Sequence, residues 1–203
     1  MSNAVPEAVG RAASTHRLFF ALWPDDELAA TLADIAGAAA RRYGGRPTRR
    51  ETVHLTLAFI GDVAATEIAA LIAAARQVRA APFPLSIDRL GYWSHNRLLW
   101  AGCAPSAALD DLALALQRSL AEAGHVVADG ERAFTPHLTL IRKLPPAILP
   151  PMLADFAPAA LPLWRCTRFL LVASRLSAAG SDYATIAEFP LAAMADGSPA
   201  FTV

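Results

Sequence analysis

The apolar positions change period several times along the chain, and each change marks an element. Arg17 to Trp23 (RLFFALW) is a short aromatic and aliphatic run closed by Pro24, which predicts a buried strand. Asp25 and Asp26 then open a helix on which Leu28, Leu32 and Ile35 recur at helical spacing, ending near Tyr43 where Gly44 and Gly45 follow. Beyond a polar loop (GGRPTRRET) the period drops to two. Val53, Leu55, Leu57 and Phe59 fall on one side, and His54, Thr56 and Ala58 on the other, up to Gly61-Asp62. Thr66 is placed to cap a second helix that carries Ile68, Leu71 and Ile72 and stops near Ala81-Pro82. Phe83, Leu85, Ile87 and Arg89 alternate again, and Leu98-Leu99-Trp100 returns after the turn-like SHNR, predicting an antiparallel hairpin. Ser106 caps a third helix whose Leu109, Leu112, Leu116 and Leu120 form a stripe, with Gly124 at its end. Leu138 and Leu140 then alternate with His137 and Thr139 until Arg142-Lys143-Leu144-Pro145. A proline-rich connection (PPAILPPM) leads to strands from Arg168 to Ser174 and from Tyr183 to Leu191, separated by a turn at Ala179-Gly180-Ser181 and able to pair.

Helices and hairpins in this order, without regular strand-helix-strand alternation, predict α+β architecture with antiparallel sheets. No linker is long or polar enough to separate independent domains. Residues 16–203 therefore read as one bilobal domain behind a flexible leader, 1–15, with one histidine strand from each lobe around a central cleft. At 203 residues, 55% of them hydrophobic, the chain can bury a core, which excludes wholesale disorder. Eighteen basic residues balance eighteen acidic ones, so polybasic tracking along a duplex is excluded and any nucleic-acid contact has to be local. The apolar runs stop well short of the roughly 20 residues that span a bilayer, and nothing before Arg17 resembles the apolar core of a secretion signal. The expectation is a cytoplasmic monomer with no membrane contact. Cys103 and Cys166, far apart and outside any metal-ligand spacing, read as buried free thiols.

The tetrapeptide His-Leu-Thr-Leu occurs twice, at His54 to Leu57 and at His137 to Leu140, 83 residues apart. A given histidine would be followed by Leu-Thr-Leu by accident on the order of once in a thousand. On a strand, residues i and i+2 point the same way, so each histidine stands beside its threonine while the leucines anchor the opposite face. Two such strands across a cleft would set two imidazoles on opposite sides of one ligand, with two hydroxyls to hydrogen-bond a tetrahedral anion between them. Imidazole gives or takes a proton near neutrality, so the pair can divide an in-line displacement at phosphorus between nucleophile activation and leaving-group protonation. His-x-Thr is a poor metal motif, since threonine is not a usual ligand and no second histidine or carboxylate cluster accompanies it; neither metal nor cofactor is expected. His16, His95 and His125 lack a threonine partner and read as surface or structural residues.

The stretches HLTLAFIGDV and AFTPHLTLIRK, with RLFFALWP and LLVASRLSAAGSDYATIAEFPL, resemble the two-histidine phosphoesterases. Within these the chain is most similar to the bacterial RNA 2′,3′-cyclic phosphodiesterases, also called 2′-5′ RNA ligases, over roughly His16 to Leu191. The resemblance implies a bilobal α+β fold of pseudo-two-fold symmetry, with antiparallel sheets flanked by helices and both histidines in the cleft. It implies metal-independent opening of RNA 2′,3′-cyclic phosphate ends, or of small cyclic nucleotides, to 2′-phosphomonoesters, and reversible, ATP-independent 2′-5′ RNA ligation in vitro. On this resemblance His54 is the general acid on the leaving 3′-oxygen, His137 the general base, and Thr56 and Thr139 hold the phosphate. Arg142 matches an arginine beyond the second motif that reaches the phosphate or closes the strand. Tyr183 occupies a late aromatic position suited to core packing or base stacking. The arginines of the loop before His54, Arg46, Arg49 and Arg50, could steer an RNA end, although solvated charge is the commoner role of such residues. An alternative reading keeps the cleft as an AMP-like nucleotide sensor without turnover, and a third treats the repeat as duplicated core only.

Overall fold

The first apolar run becomes β1 (Thr15–Leu22), and its alternate residues divide between two faces. Leu18, Phe20 and Leu22 enter the main core, and Phe19 and Ala21 the opposite face. This computed structural model describes residues 15–128, 133–145, 161–177 and 180–192; most of the PPAILPPM connection and nearly all of the leader lie outside them. Helix α1 (Asp26–Tyr43) starts at Asp25, whose carboxylate accepts from the Leu28 N–H at 2.9 Å. It ends where Gly44, at φ +84°, donates its N–H to the Ala40 carbonyl. There follow β2 (Arg46–Pro47), β3 (Leu55–Ala64), α2 (Ile68–Ala75), β4 (Phe83–Leu85), β5 (Ile87–Trp93), β6 (Leu98–Cys103), α3 (Ala107–Glu122), β7 (His137–Arg142), β8 (Trp164–Cys166), β9 (Arg168–Ser177) and β10 (Gly180–Pro190).

The large sheet runs β10-β9-β1-β3-β7-β6-β5, antiparallel throughout, with β2 added beside β7. Its two halves meet at one paired position, Leu55 opposite Leu138, the leucine that follows each histidine. Both leucines are fully buried in the core that α1, α2 and α3 share on one face of the sheet; a leucine so buried is worth about 1.5–3 kcal/mol. The helices cross over. α1 leaves β1 in one half and packs against β7 in the other, while α3 leaves β6 and packs against β3. Beyond the seam β3 and β7 diverge, and β2 takes the vacated edge of β7 by pairing Arg46 with Arg142 and Pro47 with Ile141. This is the bilobal α+β arrangement expected from the sequence, with the opening at the two motifs.

Several local expectations are corrected. His54 lies just before β3, which runs on to Ala64. Phe59 faces the His54 side, because β3 bulges: Phe20 pairs with Ala58 and Ala21 with Thr56, so Leu57 is the extra residue and the alternation reverses after it. Thr66 caps nothing. Instead Glu67 accepts from the Ala64 N–H at 3.2 Å, and α2 ends at Ala75, where the Gln77 and Val78 N–H groups bond three residues back and tighten the chain out of the helix. The 83–89 stretch splits in two. β4 pairs with β8 in a separate two-stranded sheet, and only β5 forms the hairpin with β6. Cys103 and Cys166 are buried free thiols, and burial pushes the Cys166 thiol up to about 12.

Candidate active site

Each histidine is fixed in the same way. His54 Nδ1 lies 2.7 Å from the Thr52 carbonyl and His137 Nδ1 lies 2.8 Å from the Thr135 carbonyl, in both cases two residues back. A carbonyl only accepts, so Nδ1 carries the proton in each bond and the Nε2 lone pair is left for other chemistry. Continuing the antiparallel register one residue either side of the single Leu55–Leu138 pair sets Thr56 toward His137 and Thr139 toward His54. His137 therefore shares β7 with Thr139, His54 immediately precedes the strand that carries Thr56, and each histidine is set toward the other motif's threonine.

Aromatic rings hold the imidazoles from behind. Trp23 stacks on His54 with centroids 5.0 Å apart and planes 15° from parallel, while Phe19 at 4.9 Å and the edge of Tyr183 at 5.2 Å complete its surround. On the other side Trp93 meets His137 edge-on at 4.5 Å, backed by Trp100 at 5.4 Å from Trp93. Trp100 lies over Gly91 and Gly102, and any side chain at either glycine would collide with its ring. Burial among these rings is the main reason that both histidines hold protons weakly. His54 is lowered to about 4 and His137 is also lowered; the Arg142 guanidinium adds to both effects, and the carbonyl bonds oppose them.

A cleft of about 560 Å³ opens over His54, Thr56 and Thr139. Arg17, Arg46, Arg49, Arg142 and Lys143 line it, and among the described residues no aspartate or glutamate does, so a chain of zero formal net charge presents a local positive field here. Arg142 and Tyr183, both singled out from the sequence, lie in this lining. Arg49 lines it too, with its guanidinium bonded to Asp182 and to the Ser181 carbonyl at 2.9 and 3.0 Å. Arg50 is absent from the lining and points to Asp26 at the start of α1, 3.3 Å away. Arg46, in the same arginine-rich loop, lines the cleft as well; sequence reasoning missed Arg17 and Lys143, which come from two separate segments, and the rings of Trp23, Trp93 and Trp100. It also missed the carbonyl pins, although a signal existed: threonine precedes each histidine by two residues, so the repeat is Thr-x-His-Leu-Thr-Leu. Among the described residues no three His, Cys, Asp or Glu side chains converge as a metal site, and no helix is long and apolar enough to cross a membrane.

The chain as a whole is similar to one group of known proteins. Residues 24–177 match the 2′-5′ RNA ligase superfamily. The RNA 2′,3′-cyclic phosphodiesterase of Escherichia coli (strain K12) is 31% identical over 177 residues, which cover 86% of this chain and 96% of the relative. The protein of the same name from Thermus thermophilus is 27% identical over 184 residues, 86% of this chain and 90% of its own. Among solved structures, Escherichia coli LigT complexed with 3′-AMP aligns at a TM-score of 0.76 and 29% identity, over 88% of this chain and 99% of LigT.

Proposed function

The chain belongs to the 2′-5′ RNA ligase superfamily, and from that premise we propose that its cleft hydrolyses 2′,3′-cyclic phosphate ends of RNA to 2′-phosphomonoesters. The observation that carries the reading is the matched pair of histidines, each pinned through Nδ1 to a carbonyl, one from each half of the sheet, beside a cleft lined by cations. His137 Nε2 accepts the proton of an attacking water. The water oxygen bonds to phosphorus, the bond to the 3′-oxygen breaks in line, and His54 delivers a proton to that oxygen. Thr56 and Thr139 donate hydrogen bonds to the non-bridging oxygens, and Arg142 offsets the charge that grows on them. Each acid or base supplies typically about 10²- to 10⁴-fold, which is sufficient for a strained five-membered ring without a metal. A 5′-hydroxyl in place of water would give a 2′-5′ linkage by the same steps. The group bound by LigT in its 3′-AMP complex, a nucleotide end, is of the class proposed here.

The test is hydrolysis of a short RNA ending in a 2′,3′-cyclic phosphate, with EDTA present, by wild type, His54→Ala and His137→Ala. The expected outcome is a 2′-phosphate from wild type and losses of about 10²-fold or more in each variant, with folding checked by circular dichroism. Activity lost in EDTA would remove the metal-free mechanism, and nucleotide binding without turnover would make the cleft a sensor. The roles divide on a 3′-thio substrate, whose thiolate leaves without a proton: His54→Ala should recover on it and His137→Ala should not.

A further inference from the structure

The end of β7 departs from a regular strand twice. Strict alternation from His137 and Thr139 would turn Ile141 to the cleft and Arg142 to the core. Instead β6 pairs Trp100 with Thr139 and Leu99 with Ile141, so Leu140 is an extra residue, as Leu57 is in β3, and the alternation reverses after it. Ile141 is fully buried, and Arg142 is exposed and lines the cleft. The next residue of an extended chain would face the core again. Lys143 takes φ +58°, the left-handed region that lysine rarely adopts, and it too lines the cleft.

The surroundings hold Lys143 in this conformation. Arg142 pairs with Arg46 of β2, and Leu144 is fully buried with its N–H bonded to the Arg97 carbonyl at 3.0 Å and its carbonyl accepting from the Tyr92 hydroxyl at 3.3 Å. Gly45 presses on the same turn: a Cβ there would lie 3.0 Å from the Arg142 carbonyl oxygen and 3.3 Å from Leu144 Cα. Glycine at position 143 would adopt this backbone without strain, so a long side chain kept there in spite of the strain argues for a use of its amine. Lys143 is the only lysine among 203 residues.

The register sets Arg46 opposite Arg142, so Arg46, Arg142 and Lys143 gather at one end of the cleft, an arrangement of like charges that opposes the pairing of the strands. A 2′,3′-cyclic phosphate carries a single negative charge, and Arg142 is assigned to it. The next anion on an RNA end is the phosphodiester on the 5′ side of the terminal ribose. We propose that Lys143 is a specificity-determining residue that binds this phosphodiester, so that the cleft discriminates the end of an RNA chain from a lone cyclic nucleotide. The inference rests on the cleft opening the cyclic phosphate. An ammonium on a flexible stem meets a phosphate oxygen as a point charge, without the planar match that a guanidinium makes, and so follows the varied backbone of a single strand.

The test measures kcat/KM of the full-length protein on two ApA dinucleotides ending in a 2′,3′-cyclic phosphate, both 2′-O-methylated on the first ribose. One has the natural internal phosphodiester and the other an uncharged methylphosphonate. The reacting end is the same in both, so the ratio of the two values isolates the internal charge. Wild type is expected to favour the charged dinucleotide by about fivefold, chiefly through KM, as one charge-assisted contact at an exposed position confers. Lys143→Gly, which keeps the turn, and Lys143→Gln should bring the ratio close to one, and Lys143→Arg should retain most of it. Loss of folded protein lowers both values alike and cancels. A side chain that only shapes the turn, or one that serves the cyclic phosphate itself, would leave the ratio in Lys143→Gly at its wild-type value; that result, or a wild-type ratio near one, would overturn the subsite while leaving hydrolysis in place. Failure of wild type to open either dinucleotide would instead overturn the reading of the cleft, and this inference with it.

Discussion

A surface imidazole can turn about both side-chain torsions, whereas His54 and His137 are each held by a carbonyl at Nδ1 and by a tryptophan ring. Proton affinity falls with that confinement, because an imidazolium buried among rings loses hydration that no carboxylate replaces. The two lowered values predict the acidity of the reaction. The profile of kcat/KM reports the free protein, so its maximum should lie below pH 6.5, the ordinary value for histidine, with the acid limb set by His54 near 4. Under kcat the bound phosphate anion restores proton affinity, and the limbs should move upward. A kcat/KM plateau extending from pH 6.5 to 8 would show that neither imidazole titrates as its surroundings dictate. The motif residues themselves were legible because a two-residue period fixes which side chains share a face, so His54 with Thr56 and His137 with Thr139 follow from the pattern alone. Arg17 and Lys143 were not, since only the tertiary pairing of β1 and of the end of β7 brings their charges to one cleft.

At the scale of elements, the helices were read well where a cap and a glycine stop agreed with the apolar stripe, as for α1 with Asp25 and Gly44 and for α3 with Ser106. They were read poorly where the stripe outlasted the helix: alanines past Ala75 keep a helical composition, but the tertiary path toward β4 ends α2 there. The bulge at Leu57 left no trace in the pattern, because Leu57 and Ala58 can both be buried and only the pairing with β1 shows which residue is extra. Nor does the sequence reveal that β3 and β7 meet through a single residue pair. That seam is where element stability and the proposed catalysis coincide. Leu138→Ala removes a fully buried side chain there and should cost about 2–5 kcal/mol, read as a fall of roughly 5–15 °C in Tm for a chain of this size. Leu112→Ala, fully buried on α3, should cost a similar amount. Hydrolysis at a temperature where both variants stay folded separates them: Leu138→Ala, which loosens the alignment of His137 against Thr56, should lose at least about tenfold more kcat than Leu112→Ala. Equal losses would show that the seam only holds the halves together.

For the whole molecule, the half-buried imidazoles couple activity to acid stability. The unfolded chain exposes histidines that bind protons around pH 6.5, whereas folded His54 resists protonation down to about 4 and folded His137 is also lowered. Below pH 6.5 the unfolded state thus binds more protons than the folded one, so stability declines as pH falls through that window and the decline stops only at the folded values. From His54 alone the loss by pH 4 is about 3 kcal/mol, the energy equivalent of moving one site from 6.5 to about 4. Other groups titrate over the same range, including carboxylates such as Asp182 in its pair with Arg49, so the informative quantity is a difference between variants. His54→Gln cannot take up a proton. Measured by urea unfolding at pH 7.5 and 5.0, wild type should lose more stability than His54→Gln, by about 2 kcal/mol at the lower pH. Inorganic phosphate should narrow that gap in the wild type alone, because an anion in the cationic cleft stabilises the charged imidazole and is itself bound more tightly when the imidazole is protonated. Parallel curves for the two proteins, with and without phosphate, would mean that His54 is hydrated in solution and that the ring packing around it does not govern its proton.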